Sequence, residues 1–338
     1  MIEGVIWALV AGVMLGLYAL PEKFVKNYKY ENTWALFFLM ALVVFPVIVA
    51  FSLINNFGSI LGSIPSDTLM VMIGASVLWG IGVQMWSKAI DYIGVSLGFS
   101  IFIGAVILIG STLPFIVDGL PTTNALTFIA AGLFVILLGI FANGRAGILR
   151  KEADEQKEHM EQLEAGKVAR GIIIALVGGL FATGFSLANA VGVAPITKAV
   201  VGEGNPEWMS AIAVMFVIYV SGAIYVLPYF AIQLTKNKCW GNFTAVPFKS
   251  NFGLISLMAI FNFAASAVFA YAAYNLGDNG NTVGYAIYNT ASVLMAVLGG
   301  LFAREWATAP AKSRAYLYAA LAAMIVGVVL IALGNGAQ

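Results

Sequence analysis

Ten apolar runs, each about 20 residues long, limit what this chain can fold into more than any other feature. A helix needs about 20 mostly apolar residues to cross the hydrocarbon core of a bilayer. Apolar residues make up 61% of the chain and charged residues only 10%, whereas soluble domains carry about 25% charged residues. We therefore predict an all-α membrane protein of ten transmembrane helices. The predicted spans lie near residues 4–23, 33–54, 68–88, 95–117, 124–142, 170–192, 207–234, 252–275, 281–302 and 315–334.

Basic residues gather on one side of the membrane if the chain crosses it ten times. Sixteen of the 17 lysines and arginines fall on that side, and Lys198 alone falls on the other. Basic loops stay in the cytoplasm. We therefore predict a multi-pass protein of the bacterial inner (plasma) membrane, with both termini periplasmic or extracellular. The sixteen are Lys23, Lys26, Lys29, Lys88, Lys236, Lys238, Lys249, Arg304, Lys312, Arg314 and six residues within 143–170.

Residues 143–170 differ from the rest of the chain in composition. They hold six acidic and six basic side chains together with His159, the only histidine. Such a segment is typical of a solvated, helical, cytoplasmic linker. It divides the chain into a first five-helix unit, residues 1–142, and a second, residues 171–338.

The two five-helix units match each other in sequence. Small residues recur at every fourth position of the first and sixth spans, a pattern that lets helices pack closely in a bilayer. Because each copy has an odd number of spans, the second copy must be inverted in the membrane. Inverted repeats are typical of secondary transporters. The matched residues are Gly4, Ala8, Leu9, Val10, Gly12 and Leu20 with Gly171, Ala175, Leu176, Val177, Gly179 and Leu187, and Gly98, Ile101, Ala105 and Leu108 with Gly284, Ile287, Ala291 and Leu294.

The middle of the predicted spans carries no charged residue. Charges at that depth are costly and normally functional, so their absence favours a neutral solute over a nucleotide or another polyanion. The sequence has no P-loop, and its single cysteine and single histidine cannot form a metal site. We therefore predict no enzymatic activity, no cofactor, no metal and no nucleic-acid partner.

Neutral hydrogen-bonding and aromatic side chains do occur within the predicted spans. On the ninth span, Tyr285, Tyr288, Asn289 and Ser292 share one helical face. Amides and hydroxyls bind the hydroxyl groups of sugars, and aromatic rings pack on their C–H faces. The alternative is that these polar groups only join helices to one another, as they often do in membranes. The predicted substrate-binding residues are Tyr18, Trp79, Gln84, Trp86, Ser100, Ser186, Asn189, Asn262, Tyr285, Tyr288 and Asn289.

Several motifs extend in order over nearly the whole chain. They are Tyr18-Ala19 with Lys23, Lys26, Glu31 and Trp34; Trp79-Gly80-Ile81-Gly82 through Tyr92, Gly94, Ser96 and Gly98 to Gly104 and Gly110; Arg145-Ala146-Gly147; Gly179, Phe181, Gly184 and Pro195; and Glu305-Trp306. With these residues the chain resembles the L-rhamnose–proton symporter family, a branch of the drug/metabolite transporter superfamily.

The resemblance implies ten helices with both ends outside, and proton-driven uptake of L-rhamnose or a related neutral sugar. In the expected mechanism, the two halves rock around a central cavity and expose it to each side in turn. Proton coupling needs a titratable group whose protonation is linked to sugar binding. Glu22, beside Pro21, is the predicted group, followed by Asp91 and Asp118.

Three other functions remain open at the level of sequence. An exporter of amino acids, lipophilic drugs or other small metabolites could use the same fold, with outward flux and a more apolar cavity. A facilitator would carry the sugar without proton coupling. A membrane receptor or scaffold would transport nothing, although two opposed halves argue against it.

Overall fold

Helices form every secondary-structure element that the computed structural model describes, which covers residues 2–112, 115, 119–155, 165–244, 247–277, 280–302 and 306–336. Side chains are described at these positions except 87, 90, 91, 93–100, 111, 151–155, 165–168, 281, 300, 302, 335 and 336. The α-helices are α1 (Ile2–Leu17), α2 (Tyr30–Leu39), α3 (Phe45–Leu53), α4 (Phe57–Ser63), α5 (Ser66–Thr112), α6 (Thr123–Glu155), α7 (Ala165–Ala182), α8 (Gly184–Gly202), α9 (Ser210–Lys236), α10 (Phe248–Leu276), α11 (Tyr285–Phe302) and α12 (Ala311–Gly336).

Nine helical segments within the described residues are long and apolar enough to cross a membrane. They are Ile2–Phe24, Tyr30–Leu53, Ser66–Trp86, Thr123–Arg150, Ala169–Gly202, Glu207–Lys236, Phe248–Leu276, Thr282–Gly299 and Ala311–Gly334. A shorter apolar helix, Ile101–Gly110, lies within the predicted fourth span. The chain is therefore an all-helical, multi-pass membrane protein.

The longest helix, α5, contains 47 residues and covers the third and fourth predicted spans. At about 1.5 Å per residue a straight helix of that length would reach about 70 Å, more than twice the hydrocarbon thickness of a bilayer. The rings of Trp86 and Phe102 nevertheless lie only 6.1 Å apart, centroid to centroid. Residues sixteen positions apart on a straight helix are separated by about 24 Å. The chain therefore reverses direction between Trp86 and Phe102, where the sequence predicts the end of one span and the start of the next.

The two ends of α5 also run in opposite directions along the same neighbouring segment, α7 with α8. Ala75 and Gly82 contact Gly184 and Gly178, whereas Ala105 and Gly110 contact Gly179 and Ser186. In the first set the residue number rises on α5 as it falls on the neighbour. In the second set both numbers rise together, which again requires a reversal within α5.

Two close glycine contacts involve residues that the predicted sequence repeat matches. A Cβ atom at Gly12 in α1 would overlap Ala291 in α11, and a Cβ atom at Gly179 in α7 would lie 2.6 Å from the Cβ atom of Ala105 in α5. In the repeat predicted from the sequence, Gly12 corresponds to Gly179 and Ala291 corresponds to Ala105. The pair α1–α11 and the pair α5–α7 therefore each pack closely at a glycine, and the residues in contact are those predicted from the sequence to correspond.

A reciprocal contact joins α6 and α12. A Cβ atom at Gly132 would lie 2.8 Å from the carbonyl oxygen of Gly327, and a Cβ atom at Gly327 would lie 2.8 Å from the carbonyl oxygen of Gly132. A Cβ atom at Gly139 would lie 3.1 Å from the carbonyl oxygen of Ala320, and a Cβ atom at Gly334 would lie 3.1 Å from the carbonyl oxygen of Ala125. The antiparallel helices α6 and α12 therefore pack closely through glycines on both helices.

Candidate functional site

A cavity of about 930 Å³ lies among the helices, and its wall is formed by α1, α2, α5, α7, α8, α9, α10 and α11. Small-molecule sites typically measure about 300–1,000 Å³. Residues of α9 line the cavity over its length, from Tyr219, which is 1% exposed, to Lys236, which is exposed. Seventeen residues of helix span about 25 Å. The cavity is therefore deep, and it opens at the Lys236 end of α9.

A chain of polar groups lies at the deep end of this cavity. The hydroxyl of Tyr219 lies 2.5 Å from the hydroxyl of Ser266 and 3.2 Å from the side-chain oxygen of Asn262. The Ser266 hydroxyl in turn lies 3.3 Å from the hydroxyl of Tyr288. Helices α9, α10 and α11 thus bring four neutral hydrogen-bonding groups together. All four residues line the cavity.

Aromatic rings surround these polar groups. Trp79 of α5 lies 5.3 Å from Tyr219 and 5.7 Å from Phe185, measured between ring centroids. Just after α1, Tyr18 stacks on Phe37 of α2, with ring centroids 5.5 Å apart. A ligand in the deep end therefore meets aromatic faces as well as hydrogen-bonding groups. A hydroxylated ring with an apolar face suits such a wall.

Glu22 is the one acidic residue of the membrane-spanning segment Ile2–Phe24 that lines the cavity. The helix α1 ends at Leu17, and a 3₁₀ turn containing Pro21 follows over Leu20–Phe24. Proline suits the first turn of a helix because N–H groups there have no partner within the helix, and proline has no N–H group. This turn places Glu22 beside Trp34 of α2, whose indole N–H donates a 2.9 Å hydrogen bond to the carboxylate. The carboxylate is thus held in one position by a neighbouring helix.

The mouth of the cavity is charged, in contrast to its deep end. Lys88 and Lys236 are exposed and line the opening together with Glu31 and Gln233. Glu31 accepts a 2.5 Å hydrogen bond from the side-chain amide of Asn237. These residues are predicted from the sequence to lie on the cytoplasmic side.

Comparison with known proteins identifies the family. A family model described as L-rhamnose-proton symport protein (RhaT) matches residues 1–337. The chain belongs to this family. Similar relatives include the L-rhamnose-proton symporters of Yersinia pestis bv. Antiqua (strain Antiqua) and Yersinia pseudotuberculosis serotype O:1b (strain IP 31758). Each is 26% identical, over 350 and 351 residues respectively, which cover 99% of this chain and 98% of the relative.

Membership in the L-rhamnose-proton symport protein family confirms the resemblance found in the sequence. Because the family model covers nearly the whole chain, the match does not depend on one motif. The relatives are transporters and not enzymes.

Most of the predicted substrate-binding residues lie in the wall of one cavity. Glu22, the predicted proton-coupling residue, lines the same cavity. Eight of the eleven predicted substrate-binding residues do so, namely Tyr18, Trp79, Gln84, Trp86, Asn262, Tyr285, Tyr288 and Asn289.

Two predicted residues lie away from the cavity. Ser186 is buried in α8, and its hydroxyl donates a 2.7 Å hydrogen bond to the carbonyl oxygen of Gly110. Asn189, one turn further along α8, is also fully buried. The side chains of Ser100 and Asp91, as well as Asp118 and His159, lie outside the described residues.

The contribution of α2 and α9 to the cavity was not predicted from the sequence. Tyr219, Tyr225 and Tyr229 of α9 and Trp34 of α2 all line it. The hydroxyl of Tyr225 donates a hydrogen bond to the side-chain oxygen of Gln84, which joins α9 to α5. Three tyrosines in an otherwise apolar helix were the available signal, although their spacing alone does not say which face points inward.

Proposed function

We propose that this protein carries L-rhamnose or a related neutral sugar into the cell together with protons. The observation that carries the proposal is the group of neutral side chains around Tyr219, Asn262, Ser266 and Tyr288, enclosed by aromatic rings in a member of this family. Such groups provide direction through hydrogen bonds and shape through apolar contact. The names of the relatives, L-rhamnose-proton symporters, agree with this chemistry.

Part of the cavity wall suits the methyl group of a deoxy-sugar. Val83, Phe102, Val106, Ala182 and Phe185 line the cavity, and none of their side chains can form a conventional hydrogen bond. An additional hydroxyl group against this patch would lose its hydrogen bonds to water and gain none. A hydrophobic pocket rejects such an added hydroxyl by about 100-fold at most. We expect a preference for L-rhamnose over L-mannose, which carries a hydroxyl on the corresponding carbon.

Ten membrane crossings in two inverted five-helix repeats best account for the contacts between helices. The reversal between Trp86 and Phe102 supports two crossings within α5. The equivalent contacts of Gly12 and Gly179 support a two-fold relation between residues 1–142 and 171–338. The linker 143–170, into which α6 extends as far as Glu155, lies on the cytoplasmic side in this arrangement.

Alternating access follows from this arrangement. The mouth at Lys88 and Lys236 faces the cytoplasm if basic loops are cytoplasmic and both termini lie outside. At the other end, the rings of Phe185, Phe269 and Tyr285 lie 5.8–6.2 Å apart and close the path to the outside. The cavity then corresponds to an inward-facing state. Sugar enters when the halves rock and this aromatic cluster separates.

Proton coupling is assigned to Glu22. Its carboxylate lines the sugar cavity and is held by Trp34, so that sugar binding and protonation can influence each other through the same few side chains. Coupling of this kind is reciprocal, because a sugar that binds the protonated form more tightly also promotes proton binding.

Transport by purified protein in liposomes tests the proposed function. With an imposed inward proton gradient, L-rhamnose should accumulate above its external concentration, and a protonophore should abolish the accumulation. Entry that only reaches equilibrium and is insensitive to the protonophore would instead identify a facilitator. Absence of L-rhamnose binding, combined with transport of amino acids or lipophilic compounds, would identify an exporter and reject the proposal. Binding without any flux would identify a receptor.

A further inference from the structure

We propose that Tyr219 is a positioning residue that orients the amide of Asn262 toward a hydroxyl group of the transported sugar. This inference rests on the proposed sugar transport. Tyr219 belongs to α9, a helix in which no site residue was predicted from the sequence. The Tyr219 hydroxyl joins α9 to α10 through Asn262 and Ser266.

The hydroxyl of Tyr219 has one proton to donate and can accept further hydrogen bonds. Its neighbours are Asn262, with the side-chain oxygen at 3.2 Å and the backbone carbonyl at 3.3 Å, and Ser266 at 2.5 Å. Since Asn262 presents acceptors on this side, Tyr219 donates to Asn262 and accepts from Ser266. The Ser266 hydroxyl can in turn accept from Tyr288 at 3.3 Å. The four groups thus form one directed chain, and such chains reinforce each hydrogen bond within them.

The chain ends on Asn262 and leaves part of that residue for a ligand. Tyr219 engages one end of the side-chain amide, and among the described residues no hydrogen bond is made by the other end. Asn262 is half-buried and lines the cavity. An amide fixed at one end has its remaining hydrogen-bonding group in a defined direction, which is what recognition of one hydroxyl among several requires.

The ring of Tyr219 is held on two sides independently of its hydroxyl. Its centroid lies 5.3 Å from Trp79 and 5.5 Å from Phe263, and the residue is 1% exposed. Replacing it by phenylalanine should therefore preserve the ring packing and remove only the hydroxyl. Asn262 would then lose its partner and gain freedom to rotate.

Equilibrium binding of L-rhamnose to purified full-length protein tests this role. Tyr219→Phe should weaken binding by about tenfold, the effect of one buried hydrogen bond. Ser266→Ala should also weaken binding, because the Tyr219 hydroxyl then loses the hydrogen bond that Ser266 donates to it. The matched control is Tyr271→Phe, since Tyr271 packs on Trp7 at 5.8 Å and does not line the cavity. Its affinity should stay within about twofold of the wild type. The melting temperature of each variant verifies that it is folded.

Sugar analogues separate positioning from a general structural effect. The measurement uses L-rhamnose derivatives that each lack one hydroxyl group, with wild type, Tyr219→Phe and Asn262→Ala. For one derivative, both variants should bind with the same affinity as the wild type, because that derivative already lacks the hydroxyl group that Asn262 recognises. Equal losses with every derivative would show that Tyr219 only supports the fold, and would overturn the inference. Unchanged affinity of Tyr219→Phe would also overturn it. Failure of the wild type to bind L-rhamnose would instead reject the proposed function.

Discussion

The side-chain amide of Asn205 and the backbone of Asn55 hold each other through two hydrogen bonds. The amide nitrogen of Asn205 donates to the carbonyl oxygen of Asn55 at 3.0 Å, and the backbone N–H of Asn55 donates to the side-chain oxygen of Asn205 at 2.8 Å. Asn205 follows α8 and Asn55 follows α3, so that the bonds join two loops far apart in sequence. They tie the end of α3 to the start of α9.

A related contact joins the start of α2 to the end of α9. The side-chain amide of Asn32, at the start of α2, donates a 2.8 Å hydrogen bond to the carbonyl oxygen of Cys239, just after α9. Each of the two loops that receive these asparagines contains a residue with a positive φ value, 54° at Asn56 and 52° at Lys238. The α2–α3 segment and α9 are therefore fastened to each other at both ends.

We expect Asn205→Ala to lower the free energy of unfolding by about 1–3 kcal/mol. The residue is only 5% exposed, and its loss leaves the N–H and carbonyl groups of Asn55 without their partner. Thermal unfolding of the purified protein in detergent measures the effect. Asn237→Ala is the control, because Asn237 is exposed, and it should change stability by less than about 0.5 kcal/mol. Equal losses of unfolding free energy in the two variants would show that the hydrogen bonds of Asn205 do not stabilise the protein specifically.

Protonation of Glu203 should destabilise the protein at low pH. Hydrogen bonds from Ser59 and then Asn56 lower the pKa of this exposed carboxyl below its usual value. A depressed pKa in the folded state contributes stability that is present above the unfolded pKa of about 4.3 and is lost as pH falls through the lower folded pKa. The melting temperature should therefore drop with pH in this range. Glu203→Gln should remove this component, and Ser59→Ala should reduce it. An unchanged pH profile in Glu203→Gln would exclude the effect.

Adding a methyl group at either of two aligned glycines should be equally harmful. Gly12→Ala and Gly179→Ala each force a Cβ atom into Ala291 or Ala105 of the facing helix, at a cost of about 1–3 kcal/mol for overpacking. The control is Gly74→Ala, because a Cβ atom there has no neighbour within 4 Å. That change should be neutral or stabilising by about 1 kcal/mol, since alanine favours the helix. Unfolding in detergent measures all three, and a neutral Gly179→Ala would contradict the equivalence of the two contacts.

The polar stripe of α11 could be predicted because helical spacing alone defines it. Tyr285, Tyr288 and Asn289 share one face whatever the tertiary arrangement, and all three line the cavity. Ser186 fits a similar pattern on α8, but its hydroxyl is taken by the carbonyl group of Gly110. That partner depends on how α5 reverses and packs on α8. Periodicity can therefore place a residue on a face but cannot say what the face contacts.

The missed contribution of α9 has a related physical cause. This helix is buried on most of its surface, so that apolar residues occur all around it and no polar stripe marks one side. Tyr219 faces the cavity because Gly222 lets α9 approach α5 closely, where a Cβ atom would lie 2.8 Å from the ring of Trp79. The orientation of α9 is set by packing between helices that are far apart in sequence.

Glu22→Gln should uncouple sugar movement from proton movement. The amide oxygen of glutamine can still accept the hydrogen bond from Trp34, so the turn at Pro21 should keep its structure. The amide cannot bind and release a proton. We expect L-rhamnose binding and exchange to persist, while accumulation under a proton gradient falls to an internal-to-external ratio of about one. Radiolabelled sugar in liposomes measures accumulation, and a trapped pH indicator measures sugar-induced proton uptake.

The control for this prediction is Glu31→Gln, because Glu31 also lines the cavity but lies at its exposed mouth, bonded to Asn237. Its accumulation ratio should match that of the wild type. If Glu22→Gln accumulates L-rhamnose and takes up protons as the wild type does, Glu22 is not the coupling residue, and Asp91 and Asp118 become the residues to substitute next. If Glu22→Gln loses binding as well, the carboxylate contacts the sugar directly and the two roles are not separable.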